Sequence, residues 1–197
     1  MRKAKIIRKT NETSVELEIN LDGTGKYDID LELGFLKHML ELFSKQSLID
    51  LKLTAKGDLE VDDHHTTEDI AIVLGQALKD AIGDKKGIKR YGSMTLPMDE
   101  VLVVAAIDLS GRFSFETNYE AVREQVGDFS TEMMKHFFES VAVNAGMNLH
   151  IQYLNPGDNE HHRLEAAFKS FGRALRQAVS IDERCKNLIP STKGKLG

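Results

Sequence analysis

Seven histidines stand at positions 38, 64, 65, 136, 150, 161 and 162, and six of them fall in two repeated patterns. His64-His65-Thr66-Thr67-Glu68 has a counterpart in His161-His162-Arg163-Leu164-Glu165. Phe35-Leu36-Lys37-His38-Met39-Leu40 has one in Met133-Met134-Lys135-His136-Phe137-Phe138. Two matches at nearly the same offset mark a tandem duplication. A lone histidine on a helix is an ordinary surface or core residue, but repetition of both patterns points to metal binding. On a helix, residues i and i+4 share a face. His64 with Glu68 can therefore hold one ion, and His161 with Glu165 another. The neighbouring His65 or His162 is turned about 100° away and cannot readily join the same ion. Diverging ligands imply two ions, with donors drawn from more than one helix and from more than one subunit where a single chain falls short. His38 and His136 would complete the sets.

The positive end of a helix dipole disfavours imidazolium, and neutral imidazole is the ligating form. Imidazole and carboxylate donors without thiolate suit Mn, Fe, Co, Ni or Zn. Three histidines and one glutamate on a six-coordinate ion leave positions open for substrate, which favours Mn over tetrahedral Zn. Asp62, Asp63 and Asp69 surround the first pair. They read as helix caps or as partners orienting the histidines, with capping expected of Asp62 and Asp63. Glu41 and Glu139 follow the lone histidines and read equally as ligands or as a solvated helix face. His150 alternates into a strand and reads as structural. The ligand pattern alone chooses no reaction: hydrolysis of a phosphate ester by metal-activated water and ions that only cement an oligomer are both open.

The elements that must carry these side chains repeat as well. Residues 15–21 alternate as a strand, Asp22-Gly23-Thr24-Gly25 signals a turn, and residues 26–31 alternate again, so a hairpin is expected. In the second half, residues 101–109 form an apolar strand, Ser110-Gly111 turns it, and residues 112–115 return. Helices follow near 34–46 and 130–145, then strands at 48–55 and 147–154. Last come helices on which Ile70, Val73, Leu74, Ala77, Leu78 and Ala81, and Leu164, Ala167, Phe168, Phe171, Leu175 and Ala178, have helical spacing. The expected fold class is α+β: a tandem duplication of two similar halves, each a mostly four-stranded sheet with two helices packed on one face. The first half with its linker spans 1–92, the second spans 93–189, and a Gly/Lys-rich tail at 190–197 is expected to be mobile until it closes over substrate.

With 197 residues, 41% hydrophobic and 29% charged, the chain can build a sizeable core. A net charge of -5 argues against a nucleic-acid partner. No stretch approaches the apolar length of a membrane span, and no signal peptide is recognisable. One cysteine, Cys185, permits no internal disulfide, so a cytoplasmic protein is expected.

The chain resembles the imidazoleglycerol-phosphate dehydratases of histidine biosynthesis over nearly its whole length, as the monofunctional form. The resemblance is carried by Arg8-x-Thr10-x-Glu12-Thr13, Asp22-Gly23-x-Gly25, Phe35-Leu36-x-His38-Met39-Leu40, Asp63-His64-His65-Thr66-x-Glu68-Asp69 and Leu74-Gly75-Gln76-Ala77. It continues through Gly87-Ile88-x-Arg90-Tyr91-Gly92, Pro97-Met98-Asp99-Glu100, Asp108-Leu109-Ser110-Gly111-Arg112, His161-His162-x-x-Glu165-Ala166-x-Phe168-Lys169 and Ser191-Thr192-Lys193-Gly194. It implies dehydration of imidazole glycerol phosphate to imidazole acetol phosphate, with two Mn²⁺ per active site and a homo-oligomer of 24 subunits whose active sites lie between subunits. The implied metal ligands are His38, His64, His65, Glu68, His136, His161, His162 and Glu165. Substrate contacts would come from Glu12, Gln46, Arg90, Arg112, Lys169, Ser191, Thr192 and Lys193. The family usually carries a histidine where this chain has Gln46, which can hydrogen-bond but cannot carry a proton. Glu32-Leu33-Gly34 and Lys37 also depart from the family pattern.

The substrate proton to be lost has no neighbouring carbonyl, so the expected mechanism runs through the ring. Two metals would stabilise it as imidazolate, the adjacent hydroxyl would leave to give a diazafulvene-like intermediate, and loss of the next C–H would give an enol that becomes the ketone. Glu12 is the leading acid–base candidate; Glu68 and Glu165 are ligands first and proton carriers second. The arginines and lysines would grip the phosphate.

Overall fold

A computed structural model describes residues 2–196; Met1 and Gly197, the outer ends of the first half and of the tail, lie outside the described residues. In chain order the elements are β1 (Lys3–Lys9), β2 (Thr13–Asn20), β3 (Tyr27–Asp30), α1 (Gly34–Ser47), β4 (Asp50–Gly57) and α2 (His64–Ile82). The second half follows with β5 (Tyr91–Met98), β6 (Val101–Asp108), β7 (Ser114–Thr117), a ribbon of β8 (Gln125–Val126) and β9 (Phe129–Ser130), α3 (Met133–Ala145), β10 (Asn148–Asn155) and α4 (Glu160–Val179). One short 3₁₀ turn, Glu183–Cys185, precedes the tail.

Each half builds a four-stranded sheet, in the order β1-β2-β4-β3 and β5-β6-β10-β7. Strand β2 buries every second side chain, Val15, Leu17 and Ile19, and leaves Ser14, Glu16 and Glu18 in solvent, as a sheet with one wet face requires. Helix α2 lies on β1 and β2, and α4 lies on β5 and β6. The helices then meet across the halves, α2 against α3 and α1 against α4. The helices thus form the middle of the molecule, and one contiguous hydrophobic cluster runs through both halves. Among the described residues no helix is long and apolar enough to cross a membrane.

Two expectations are corrected. The turn signals at 22–25 and 110–111 do not close hairpins. Strand β3 pairs in parallel with β4, not with β2, and β7 pairs in parallel with β10, not with β6. Parallel neighbours need a crossover, and α1 and α3 supply it, so the strand that follows each helix inserts between the two expected to pair. The second correction is that β1 and β5 each supply a strand that the alternation did not mark. Strand β1 presents only Ala4 and Ile6 as apolar side chains toward the core, and β5 contains Gly92 and Pro97, which weaken a strand signal. Because β5 begins at Tyr91, its first residues lie within the expected linker.

Two glycines set the helix crossings. A Cβ on Gly75 of α2 would stand 2.7 Å from the Val141 carbonyl oxygen of α3, and one on Gly172 of α4 would stand 3.1 Å from the Phe43 carbonyl oxygen of α1. They occupy matching positions of the two repeats and let the paired helices approach closely.

Candidate metal and substrate site

The approach of the helices brings the histidines together across the halves. His64 and Glu68 on α2 meet His136 on α3, and His161 and Glu165 on α4 meet His38 on α1. In each group one ligand atom per residue lies within 4.8 Å of the others. His136 Nε2 is 3.0 Å from Glu68 Oε1, and His161 Nε2 is 3.1 Å from Glu165 Oε2. The His64 and His136 rings stand 4.7 Å apart, those of His38 and His161 6.0 Å, and Phe35 packs edge-on against His161. Glu165 is buried and ion-paired with Lys169. Burial alone would raise its carboxyl; Lys169 and His161 outweigh that and hold it below the usual range.

His65 and His162 do not join these groups. Each ring stands nearly perpendicular to that of its neighbour, at 79° and 85°. His65 Nδ1 lies 3.1 Å from Asp58 Oδ2 and 3.9 Å from Glu12 Oε2, and His162 Nδ1 lies 2.9 Å from Glu100 Oε2. The hydrogen bond with Asp58 raises the pKa of His65 against an opposing desolvation, with Glu12 adding to the rise. Glu100 does the same for His162. Glu12 is exposed in the β1–β2 connection, where Thr10 Oγ1 accepts its N–H.

A ribbon and the segment before it tie down the ligand helices. Asp128 accepts from the N–H groups of Gly34 and Phe35 at 2.5 and 2.9 Å, capping α1. Asp63, expected to cap α2, instead accepts from Ser130 N and Oγ at 2.7 and 2.8 Å, while Asp62 accepts from the His64 N–H. Glu160 at the start of α4 is 2% exposed and accepts from Tyr119 Oη and Val122 N. Arg163 donates to the carbonyls of Glu120, Pro156 and Gly157. Asp69 orients no histidine; it binds Arg8 Nε and Thr13 Oγ1 beneath the loop that carries Glu12. Glu41 and Glu139 stand outside the ligand groups, and His150 is exposed on β10.

Arg90, Arg112, Ser191, Thr192 and Lys193 meet in a separate cleft of about 480 Å³, with Tyr91, Pro190, Lys195 and Leu196 completing the wall. Arg112 is exposed there. Arg90 is already occupied: its guanidinium forks onto Asp108 at 2.7 and 3.0 Å and donates to the Pro190 carbonyl at 3.0 Å, tying the tail to the body. Such a cleft suits a phosphate. None of the metal-type residues lines it, and Lys169 sits beside Glu165, one turn on along α4 as their spacing implies, with its Nζ 3.4 Å from Met98 Sδ. Gln46 is also apart, at the α1–α4 crossing against Gly172. The residues that sequence reasoning missed are Asp58, Glu100, Asp128, Glu160 and Arg163. Glu100 lay in a recognised motif without a role.

Residues 32–175 match the imidazoleglycerol-phosphate dehydratase family. Among relatives of that name, one from Syntrophomonas wolfei is 53% identical over 96% of this chain and 95% of its own length. Another from Bacillus subtilis is 53% identical over 100% of both chains. The crystal structure of imidazoleglycerol-phosphate dehydratase from Staphylococcus aureus superimposes with a TM-score of 0.83 at 40% identity, covering 91% of this chain and 99% of that one. The structure of IGPD from Pyrococcus furiosus gives 0.82 at 34% identity, covering 97% and 100%. On the shared fold and on identity sustained from end to end, this chain belongs to the imidazoleglycerol-phosphate dehydratase family.

Proposed function

We propose that this chain is a metal-dependent hydro-lyase of histidine biosynthesis, working in the cytoplasm, that converts imidazole glycerol phosphate to imidazole acetol phosphate and water. The observation that carries the reading is the pair of groups of two imidazoles and one carboxylate, each drawn from both halves of the duplication. Their nitrogen and oxygen donors fit a divalent first-row ion such as Mn²⁺, and their half-exposed histidines leave coordination positions open. When bound, two such ions would supply Lewis acidity to the two nitrogens of a substrate imidazole.

The chain's own residues divide the remaining work. His38, His161 and Glu165 form one ligand set, and His64, Glu68 and His136 the other. Each set is one imidazole short of the expected four ligands. His65 and His162, turned away from both, fill those places on neighbouring copies, which makes the site an inter-subunit one in a homo-oligomer of 24 chains. The hydroxyl on the carbon next to the ring takes a proton from an acid and leaves as water, the hydrogen on the following carbon passes as a proton to a base, and the resulting enol gains a proton at the ring-side carbon as it gives up its O–H proton, leaving the ketone. Glu12 is the base, being exposed and free of a strong partner. Glu165 stays ionised beside Lys169 and serves as a ligand before it serves as a proton carrier, as Glu68 does. Arg112, Lys193, Ser191 and Thr192 take the phosphate, and Arg90 braces the tail that closes over it. Lys169 and Gln46 contact substrate from the ligand helices.

Product analysis with Mn²⁺ and substrate tests the reading. A phosphorylated ketone is expected; release of inorganic phosphate would establish a hydrolase, and activity undiminished in rigorously metal-free protein would refute the metal assignment.

A further inference from the structure

The two repeats place a carboxylate at the same point of the fold. Glu12 immediately precedes β2 and Glu100 immediately precedes β6, each in the connection between the first two strands of its sheet. Each faces the second histidine of its own repeat, but the two differ in closeness: 3.9 Å from Glu12 Oε2 to His65 Nδ1, against 2.9 Å from Glu100 Oε2 to His162 Nδ1. The difference traces to Asp58. This residue follows β4 directly and takes His65 Nδ1 for itself at 3.1 Å. At the matching point after β10 stands Pro156, which has no side-chain acceptor, so Glu100 must do for His162 what Asp58 does for His65. The backbone also commits Glu100 to this place. Its Oε1 accepts from Asn159 N at 3.2 Å, and a Cβ on Gly157 would strike its side chain. Asp99 is the other acid nearby, but it is exposed and its Oδ2 lies 3.5 Å from His162 Nε2.

A carboxylate on Nδ1 fixes the proton there and turns the Nε2 lone pair outward. We propose that Asp58 and Glu100 are positioning residues that hold His65 and His162 by Nδ1, aiming Nε2 at an ion whose other ligands belong to a neighbouring copy of this chain. Asp58 at the same time relieves Glu12, the counterpart of Glu100, of that duty and leaves it free for proton transfer. The inference rests on the metal reading above.

Titration calorimetry of the full chain with Mn²⁺ tests it, alongside nitrogen NMR of the metal-free protein. Asp58→Ala and Glu100→Ala are expected to lose about 10- to 100-fold in Mn²⁺ affinity. Asp58→Asn and Glu100→Gln keep an acceptor oxygen and the local packing, so they should lose less and guard against a variant that fails to fold. In the wild type, neutral His65 and His162 should carry the proton on Nδ1, and in the alanine variants on Nε2. Wild-type protein that binds no Mn²⁺ would remove the metal reading itself. Wild-type binding with unchanged affinity and unchanged tautomers in all four variants would leave that reading standing and overturn the positioning role.

Discussion

Within each His-His pair the two imidazoles meet different carboxylates, and that difference has a pH signature. His65 and His162 have pKa values raised above the ordinary 6.5, the first by Asp58 and the second by Glu100. A raised value means that folding favours the imidazolium. Its contribution to stability is full below the unfolded value and fades as pH climbs through the folded one. Glu100 is held low chiefly by His162, so its own contribution is lost only in acid. Metal binding has the opposite sign, because it needs the neutral rings. The melting temperature of metal-free protein should therefore fall from about pH 6 to about pH 8, while Mn²⁺ affinity rises over the same range. A metal-free melting curve that climbs through that interval would contradict the assignment. Proton transfer is tested separately: Glu12→Gln should lower kcat by about 10²–10⁴ and leave the number of bound ions per chain unchanged, as read by metal analysis beside steady-state kinetics.

At the scale of elements, Gly75 and Gly172 govern how closely the ligand helices approach. Alanine at either site gains about 1 kcal/mol of helix propensity and meets a backbone oxygen, 2.7 Å away at Gly75 and 3.1 Å at Gly172. A fixed carbonyl at the shorter distance cannot be accommodated without moving α3, and overpacking of that kind costs typically 1–3 kcal/mol. Gly75→Ala should lower stability by up to about 2 kcal/mol net, and Gly172→Ala by less, with denaturant unfolding as the measurement. The capping of α1 by Asp128 is similar in size: Asp128→Ala should cost about 1 kcal/mol. These contacts also mark what the sequence could and could not tell. The i, i+4 spacing of His64 with Glu68 and of His161 with Glu165 was legible because both donors lie on one helix, whose geometry is local. The partners of His65 and His162 were not, because Asp58 and Glu100 sit in connections whose position depends on how whole sheets fold. The same limit explains β3 and β7. A turn signal reports a change of direction, and the strand that ends up alongside is chosen by a crossover arriving later in the chain.

For the whole molecule, the ligand groups and the cationic cleft share no residue within one chain. If the cleft holds the phosphate, Arg112→Ala should raise KM roughly 10- to 100-fold with little change in kcat, and it should weaken binding of inorganic phosphate in parallel. If a neighbouring copy completes each ligand set, chelation should lower the size of the particle seen by light scattering, and returning Mn²⁺ should restore it. The crossing of donors between halves reaches further still. Each set takes a histidine and a glutamate from one repeat and a second histidine from the other. Two identical chains of half this length, facing each other about a twofold axis, would build both sets at once without any linker. The present chain is thus organised as a dimer joined end to end, and the two halves produced as separate polypeptides should regain metal affinity when mixed.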